Sequence, residues 1–236
     1  MNKIEATAII CARKNSKGIE NKNMAKLSGK PLVQICIEQA LRCIENVVVT
    51  SDSDQVLQIA SSFDSVFTIE RPSNLAEDTT PKVPVLQHAV NQLEKITVKA
   101  NKIIYDLQAT SPLRSDESIF ESFNHFFNIP DASNLVSISR SSFHPEYNLV
   151  TRDENSKIKL LEEPADAITG RNLLPNTYAI NGSIYIWRRD SLMKNINNKI
   201  VLDGTVSFET DPIQSIDIDT KEDFYIVESI INNKTK

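Results

Sequence analysis

The sequence predicts an α/β fold of three layers, with helices on both faces of a mostly parallel sheet. Short apolar runs of strand length alternate with stretches of helical spacing through the first half of the chain. The length of 236 residues suits one large domain with a small appendage. It is too short for two full enzyme domains.

Residues 7–12 read as the first strand, and Pro31 leads into a helix over 32–43 with apolar residues at 32, 33, 35, 37, 40 and 41. Residues 47–50 form a second strand. Ser51-Asp-Ser-Asp54 then caps a helix over 56–62. A short strand over 67–69 precedes a polar loop from 70 to 81, and the next helix covers 83–94. Residues 102–107 are apolar enough to be a central strand; they leave into Gln108-Ala-Thr-Ser-Pro-Leu-Arg114, and Asp116 opens a helix through 127. After a strand over 135–139 the alternation stops. From 143 to 177 charges and prolines replace it, which marks an excursion from the sheet, either a subunit contact or a lid. Residues 1–142 and 178–236 are thereby assigned to the α/β domain. Residues 181–187 return to strand character, 215–219 form a short strand, and 220–232 close the chain as an amphipathic helix. Thr220 caps that helix, with acids at 222 and 223 in its first turn.

The net charge of −5 argues against a general nucleic-acid binder, because counterion release needs an extended cationic face. No run approaches the roughly 20 apolar residues of a membrane span, and the first residues lack the apolar core of a signal peptide. A cytoplasmic location is expected. The cysteines at 11, 36 and 43 include no Cys-x-x-Cys pair, so neither a disulfide framework nor a thiolate metal site is indicated. No histidine near Cys11 suggests an activated thiol.

The most informative stretch runs from Ala8 to Asn23, where an apolar strand opens into a turn carrying Arg13, Ser16, Lys17, Gly18 and Lys22. An arginine fork and mobile ammonium groups beside a glycine suit a polyphosphate. A Walker A loop is excluded by glycine spacing, since Gly18 is the only glycine before Gly29. The competing reading is a solvated basic turn.

Asp217 and Asp219 are the second feature. In extended chain, residues i and i+2 face the same side, and two carboxylates there repel unless a cation lies between them. Such an all-oxygen pair suits Mg²⁺ or Mn²⁺, with waters and substrate phosphate completing the shell. A solvent-facing strand edge is the plain alternative. Asp52 and Asp54 share the spacing but sit in a capping run, and structural use is expected there. Arg71 and Lys82 flank a polar loop, and Gln108 follows an apolar strand, where open parallel sheets place their ligands. His88 and His125 fall on helices, Trp187 belongs in the core, and His144 begins the excursion.

Five segments in register resemble the CMP-sialic acid synthetases, the acylneuraminate cytidylyltransferases: Ile9 to Asn23, Arg71-Pro-x-x-Leu-Ala-x-Asp78, Leu107 to Arg114, Asn181-Gly-Ser-Ile-Tyr185 and Ser215-Ile-Asp-Ile-Asp219. The resemblance implies a Rossmann-like sheet of the nucleotide-diphospho-sugar transferase type. It implies coupling of CTP to a nine-carbon keto sugar acid, with release of pyrophosphate. Arg13, Ser16, Lys17 and Lys22 would bind the triphosphate, Cys11, Ala12 and Asn23 the ribose, and Arg71 with Thr80 the base. Gln108, Arg171 and Tyr185 would form the sugar pocket, and Asp217 with Asp219 would hold Mg²⁺. Arg13, Lys17 and the two aspartates would carry the catalysis. The family's dimers imply that residues 143–177 reach a second copy.

Some positions depart from the sialate pattern. Lys82 stands where a hydroxyl residue is expected, Tyr147 stands where a lysine is expected after His-Pro, and Ala179-Ile-Asn-Gly182 replaces Arg-Pro-Asn-Gly or His-Pro-Asn-Gly. The run from Thr80 to Val85 looks more like the legionaminate branch. A metal-dependent glycosyltransferase using a nucleotide sugar is the alternative enzyme class, and a non-catalytic nucleotide-binding module the third reading. The cationic turn argues against the former, because a triphosphate demands more positive charge than a sugar diphosphate.

Overall fold

The computed structural model describes residues 2–15, 18–97, 102–164 and 170–234. The chain runs through β1 (Ile4–Cys11), the two-residue pair β2 (Lys26–Leu27) and β3 (Lys30–Pro31), α1 (Leu32–Cys43), β4 (Ile44–Ser51), α2 (Asp54–Ser61) and β5 (Val66–Glu70). It continues with α3 (Lys82–Ile96), β6 (Ile103–Leu107), α4 (Asp116–Phe127), β7 (Asn134–Arg140), β8 (Val150–Arg152) and β9 (Ile158–Leu160). Last come β10 (Tyr178–Arg188), α5 (Arg189–Lys194), β11 (Thr205–Glu209) and α6 (Lys221–Lys234). The expected helices over 32–43 and 116–127 have their boundaries where the apolar spacing puts them.

Seven strands form the main sheet in the order β11-β7-β10-β6-β1-β4-β5. All neighbours are parallel except β10, which runs against both β6 and β7. The strand read as central, β6, is the middle one, and its five residues are all buried.

Alternation along the strands supplies two separate cores. Ala8 and Ile10 face one side with Val47, Val49, Tyr105 and Leu107, where they meet Val33 and Ile37 of α1 and Ile119 and Phe126 of α4. Ile9, Val48 and Trp187 face the other side, against Val83, Leu86 and Val90 of α3. Each such fully buried aliphatic side chain contributes about 1.5–3 kcal/mol. A third cluster joins Leu27, Leu32 and Leu113 to Ile218 and Val227, which seats α6 beside the strand ends.

Two expectations are corrected. Residues 215–219 form no strand: Pro212 to Ser215 turn, and the extended chain after them makes one backbone bond toward the sheet segment, from Ile218 N–H to the Thr110 carbonyl at 2.9 Å. Ile218 buries itself and so leaves Asp217 and Asp219 on the opposite side. Conversely, residues 205–209 pair in parallel with β7 as the edge strand β11, which no sequence signal marked because its alternation is weak and half exposed.

Candidate active site

Four parallel strands, β1, β4, β5 and β6, end at the same edge of the sheet. β1 leads through α1 to β4 on one side, whereas α3 carries the chain from β5 to β6 on the other. The strand order therefore reverses between β1 and β6, where open α/β sheets leave a crevice. A cavity of about 400 Å³ opens there. Its wall brings together Cys11, Arg13, Lys22, Asn23, Arg71, Thr80, Gln108, Asp217 and Asp219 from both ends of the chain.

The turn after β1 is held by its own polar groups. Asn23 donates to the Arg13 carbonyl at 2.9 Å, and Asp52 accepts from the Lys14 backbone N–H at 2.8 Å. Asp52, expected only to cap a helix, instead ties this turn to β4. Ala12 is fully buried, with its N–H on the Thr50 carbonyl at 3.1 Å, and does not reach the cavity wall. Gly18 touches the other end of the chain: a Cβ there would lie 1.9 Å from the Asp219 carbonyl oxygen. Ser16 and Lys17 lie outside the described residues.

The cationic groups of the turn meet carboxylates across the cavity. Arg13 pairs with Asp78, and Lys22 Nζ lies 2.7 Å from Asp219 Oδ1. Asp217 is half-buried, and its Oδ1 has no hydrogen-bond partner. Burial pushes its carboxyl above the ordinary aspartate range and the Asp219 charge adds to the effect, while a Thr110 hydrogen bond opposes both. An orphaned carboxylate oxygen beside a second carboxylate fits a hard divalent cation. No group of three or more His, Cys, Asp or Glu side chains placed to hold a metal ion exists among the described residues. Two carboxylates nonetheless match Mg²⁺, which keeps several waters and takes substrate phosphate oxygens.

Arg71 is buried, donates to the Thr50 carbonyl at 2.8 Å, and leaves its Nε without a partner. Thr80 Oγ1 donates weakly to the Asn74 carbonyl at 3.4 Å. On the opposite wall, the Gln108 amide nitrogen would stand 2.9 Å from a Cβ at Gly182, whose φ of +74° also favours glycine. Tyr185 lies just behind, 8% exposed. Arg171 begins a one-turn 3₁₀ helix, Arg171–Leu173.

Lys82 is the first residue of α3, and its Nζ lies 2.8 Å from Asp106 Oδ2. Burial disfavours the ammonium, but the Asp106 charge and hydrogen bond outweigh it and hold the pKa above the ordinary lysine value. Asp106 is 1% exposed; burial pushes its own carboxyl upward against the pull of Lys82, and its Oδ1 has no partner. Sequence reading missed this pair. The available signal was one acid inside the apolar run Ile103-Ile-Tyr-Asp-Leu107, since a buried carboxylate calls for a partner. Burial, with Asp106 adding, pushes the Cys11 thiol up to about 11, which disfavours the thiolate a nucleophile needs. His144 lies by a separate cavity with Arg140 and Thr177, where its Nδ1 accepts the Glu146 N–H at 3.2 Å.

The cytidylyltransferase family model matches residues 7–226. A CMP-N,N'-diacetyllegionaminic acid synthase of Campylobacter jejuni is 33% identical over 98% of this chain and 96% of its own length. An N-acylneuraminate cytidylyltransferase of Escherichia coli is 30% identical over 97% of this chain, which spans 52% of that longer protein. Among solved structures, a CMP:2-keto-3-deoxy-manno-octonic acid synthetase complexed with CTP superposes with a TM-score of 0.70. At 16% identity it covers 98% of this chain and 100% of its own, and it shares the fold.

Proposed function

The chain belongs to the cytidylyltransferase family, and from that premise we propose that it transfers CMP from CTP to a nonulosonic acid, releasing pyrophosphate. The single observation that supports this reading best is that one cavity collects the cationic turn of β1 and the carboxylate pair at 217 and 219. A triphosphate needs both, since one end must be held by cations and the reacting phosphorus must be neutralised.

In this reading Arg13 and Lys22, with Ser16 and Lys17 from the same turn, bind the β- and γ-phosphates. The incoming phosphates replace Asp78 and Asp219 as partners of Arg13 and Lys22. Cys11 and Asn23 border the ribose, with Ala12 beneath it, and Arg71 and Thr80 border the base. Gln108 and Tyr185, joined by Arg171, receive the acid. The anomeric hydroxyl of the acid attacks the α-phosphorus in line, and catalysis is positioning plus charge neutralisation. Asp217 and Asp219 would hold Mg²⁺ or Mn²⁺, which when bound neutralises phosphoryl charge and favours ionisation of the attacking hydroxyl. Arg13 and Lys17 stabilise charge on the departing pyrophosphate. No covalent enzyme intermediate is needed, in keeping with the suppressed Cys11 thiol.

A legionaminate-type acceptor is the first choice and N-acetylneuraminate the second, because the Thr80 to Val85 run and Lys82 depart from the sialate pattern. The working form in this reading is a homodimer in the cytoplasm, where CTP is made. No described helix is long and apolar enough to cross a membrane. The test is incubation with CTP, Mg²⁺ and a panel of nonulosonic acids while pyrophosphate is followed. Release with one or more acids is expected; no release with any of them would sink the proposal.

A further inference from the structure

Lys82 follows the loop that carries Arg71 and Thr80, and its side chain turns down onto the sheet. Its Nζ reaches Asp106 on β6 and stands 5.6 Å from the centre of the Tyr185 ring on β10. Asp106 and Tyr185 are direct cross-strand partners. Gln108 lies two residues beyond Asp106 and leans on Gly182 of β10. Lys82, Tyr185 and Gln108 therefore form one wall over β6 and β10.

The other cationic groups of the described lining come from other elements. Arg13 and Lys22 belong to the turn leaving β1, while Arg71 leaves β5 and bonds to β4. That half of the cavity is equipped for a triphosphate. The half over β6 and β10 has Lys82, with a buried carboxylate directly behind it. The cation and Asp106 nearly cancel at long range, so the pair offers little to a polyanion. At contact distance the ammonium still provides donors, because Asp106 occupies one of three and the side chain is 25% exposed toward the cavity. A singly charged acceptor that comes close is what this arrangement favours.

We propose that Lys82 contacts the acceptor and binds the carboxylate of the sugar acid, and that Asp106 is a positioning residue that holds the ammonium over the β6–β10 wall. The proposal rests on the acceptor being a keto sugar acid, as inferred above. A side chain that chain order places with the nucleotide loop is thereby delivered to the other substrate.

The test compares the acid that the enzyme turns over with its methyl ester, which keeps the anomeric hydroxyl and loses the carboxylate charge. Asp106→Asn, whose amide oxygen still accepts from the ammonium, serves as reference, and Lys82→Met is made in that background so that no unpaired buried carboxylate remains. Adding Lys82→Met should raise the KM for the acid roughly 10- to 100-fold, the scale of one hydrogen bond to a charged group. The KM for the ester and for CTP should each stay within about twofold. Equal losses on acid and ester, a rise in the KM for CTP alone, or an unchanged KM for the acid in the folded double variant would each overturn the contact. Absence of turnover by the wild-type enzyme with every acid would instead overturn the functional reading, and this contact with it.

Discussion

Gly18 joins the two ends of the chain through the side chain it lacks. The sequence suggested a glycine that lets backbone approach a ligand, and the structure shows that it also lets the Asp219 carbonyl approach, 1.9 Å from where a Cβ would stand. Gly18→Ala must push the phosphate turn and the carboxylate segment apart by more than an ångström. The fold should lose only about 1–3 kcal/mol, the ordinary cost of overpacking. Activity should fall roughly 100-fold, the cost of misplacing reacting groups by that distance. Steady-state kinetics with parallel thermal melts would check this, and a fully active variant would separate the turn from the aspartates. Arg13, Lys22, Gln108 and Asp219 were each legible as chemistry-bearing residues, because charge and spacing are local properties. Their present partners were not, since Asp78 and Asp219 lie 65 and 197 residues from the cations they pair with.

At the scale of elements, the boundaries of α1 follow from apolar spacing and those of α4 from spacing and the Ser115 cap, and a tertiary ion pair then locks them together. Asp116 opens α4 and takes a bidentate contact from Arg42 on α1, at 2.6 and 2.9 Å, with Gln39 adding a third donor at 3.3 Å. The Arg42 hydrogen bonds hold the Asp116 carboxyl below the ordinary aspartate range. A group whose pKa is depressed on folding contributes stability above its unfolded value, about 4, and loses it as pH falls through the folded one. Arg42 is more than half exposed, so after solvent screening the contribution is about 0.5–1 kcal/mol. Asp116→Asn should therefore lower Tm by about 1–4 °C at pH 7. Urea titrations should show that gap constant from pH 8 to 5 and shrinking below about pH 4; a gap unchanged at pH 3.5 would assign it to packing instead. The edge strand β11 and the loss of strand structure at 215–219 show the opposite case. Edge pairing and an isolated extended segment are decided by neighbours, and their sequences carry weak alternation.

At the scale of the whole molecule, the small hairpin β8–β9 forms a two-stranded sheet of its own inside the segment 143–177 that the sequence reads as an excursion. Phe143, Ile158, Leu161 and Leu173 on this excursion are more than half exposed, as are Ile96, Phe127, Ile196, Val201 and Tyr225 elsewhere. Scattered apolar residues on a monomer surface need no explanation, but several large ones on one small appendage favour burial against a second copy. Light scattering at micromolar concentration should give twice the 26.5 kDa chain mass, and Ile158→Asp with Leu161→Asp should halve it. A wild-type mass of one chain would overturn the dimer. The sequence by itself determined the layered α/β class, most of the helices and strands, the cationic turn and the carboxylate pair, because periodicity, capping and charge act within a few residues. Only the tertiary structure decided that the strand order reverses between β1 and β6, that Gly18 abuts Asp219, and that Lys82 at the start of α3 pairs with Asp106 on β6. Those are contacts between segments far apart in the chain, and they depend on the order in which the strands pair, which the local pattern does not set.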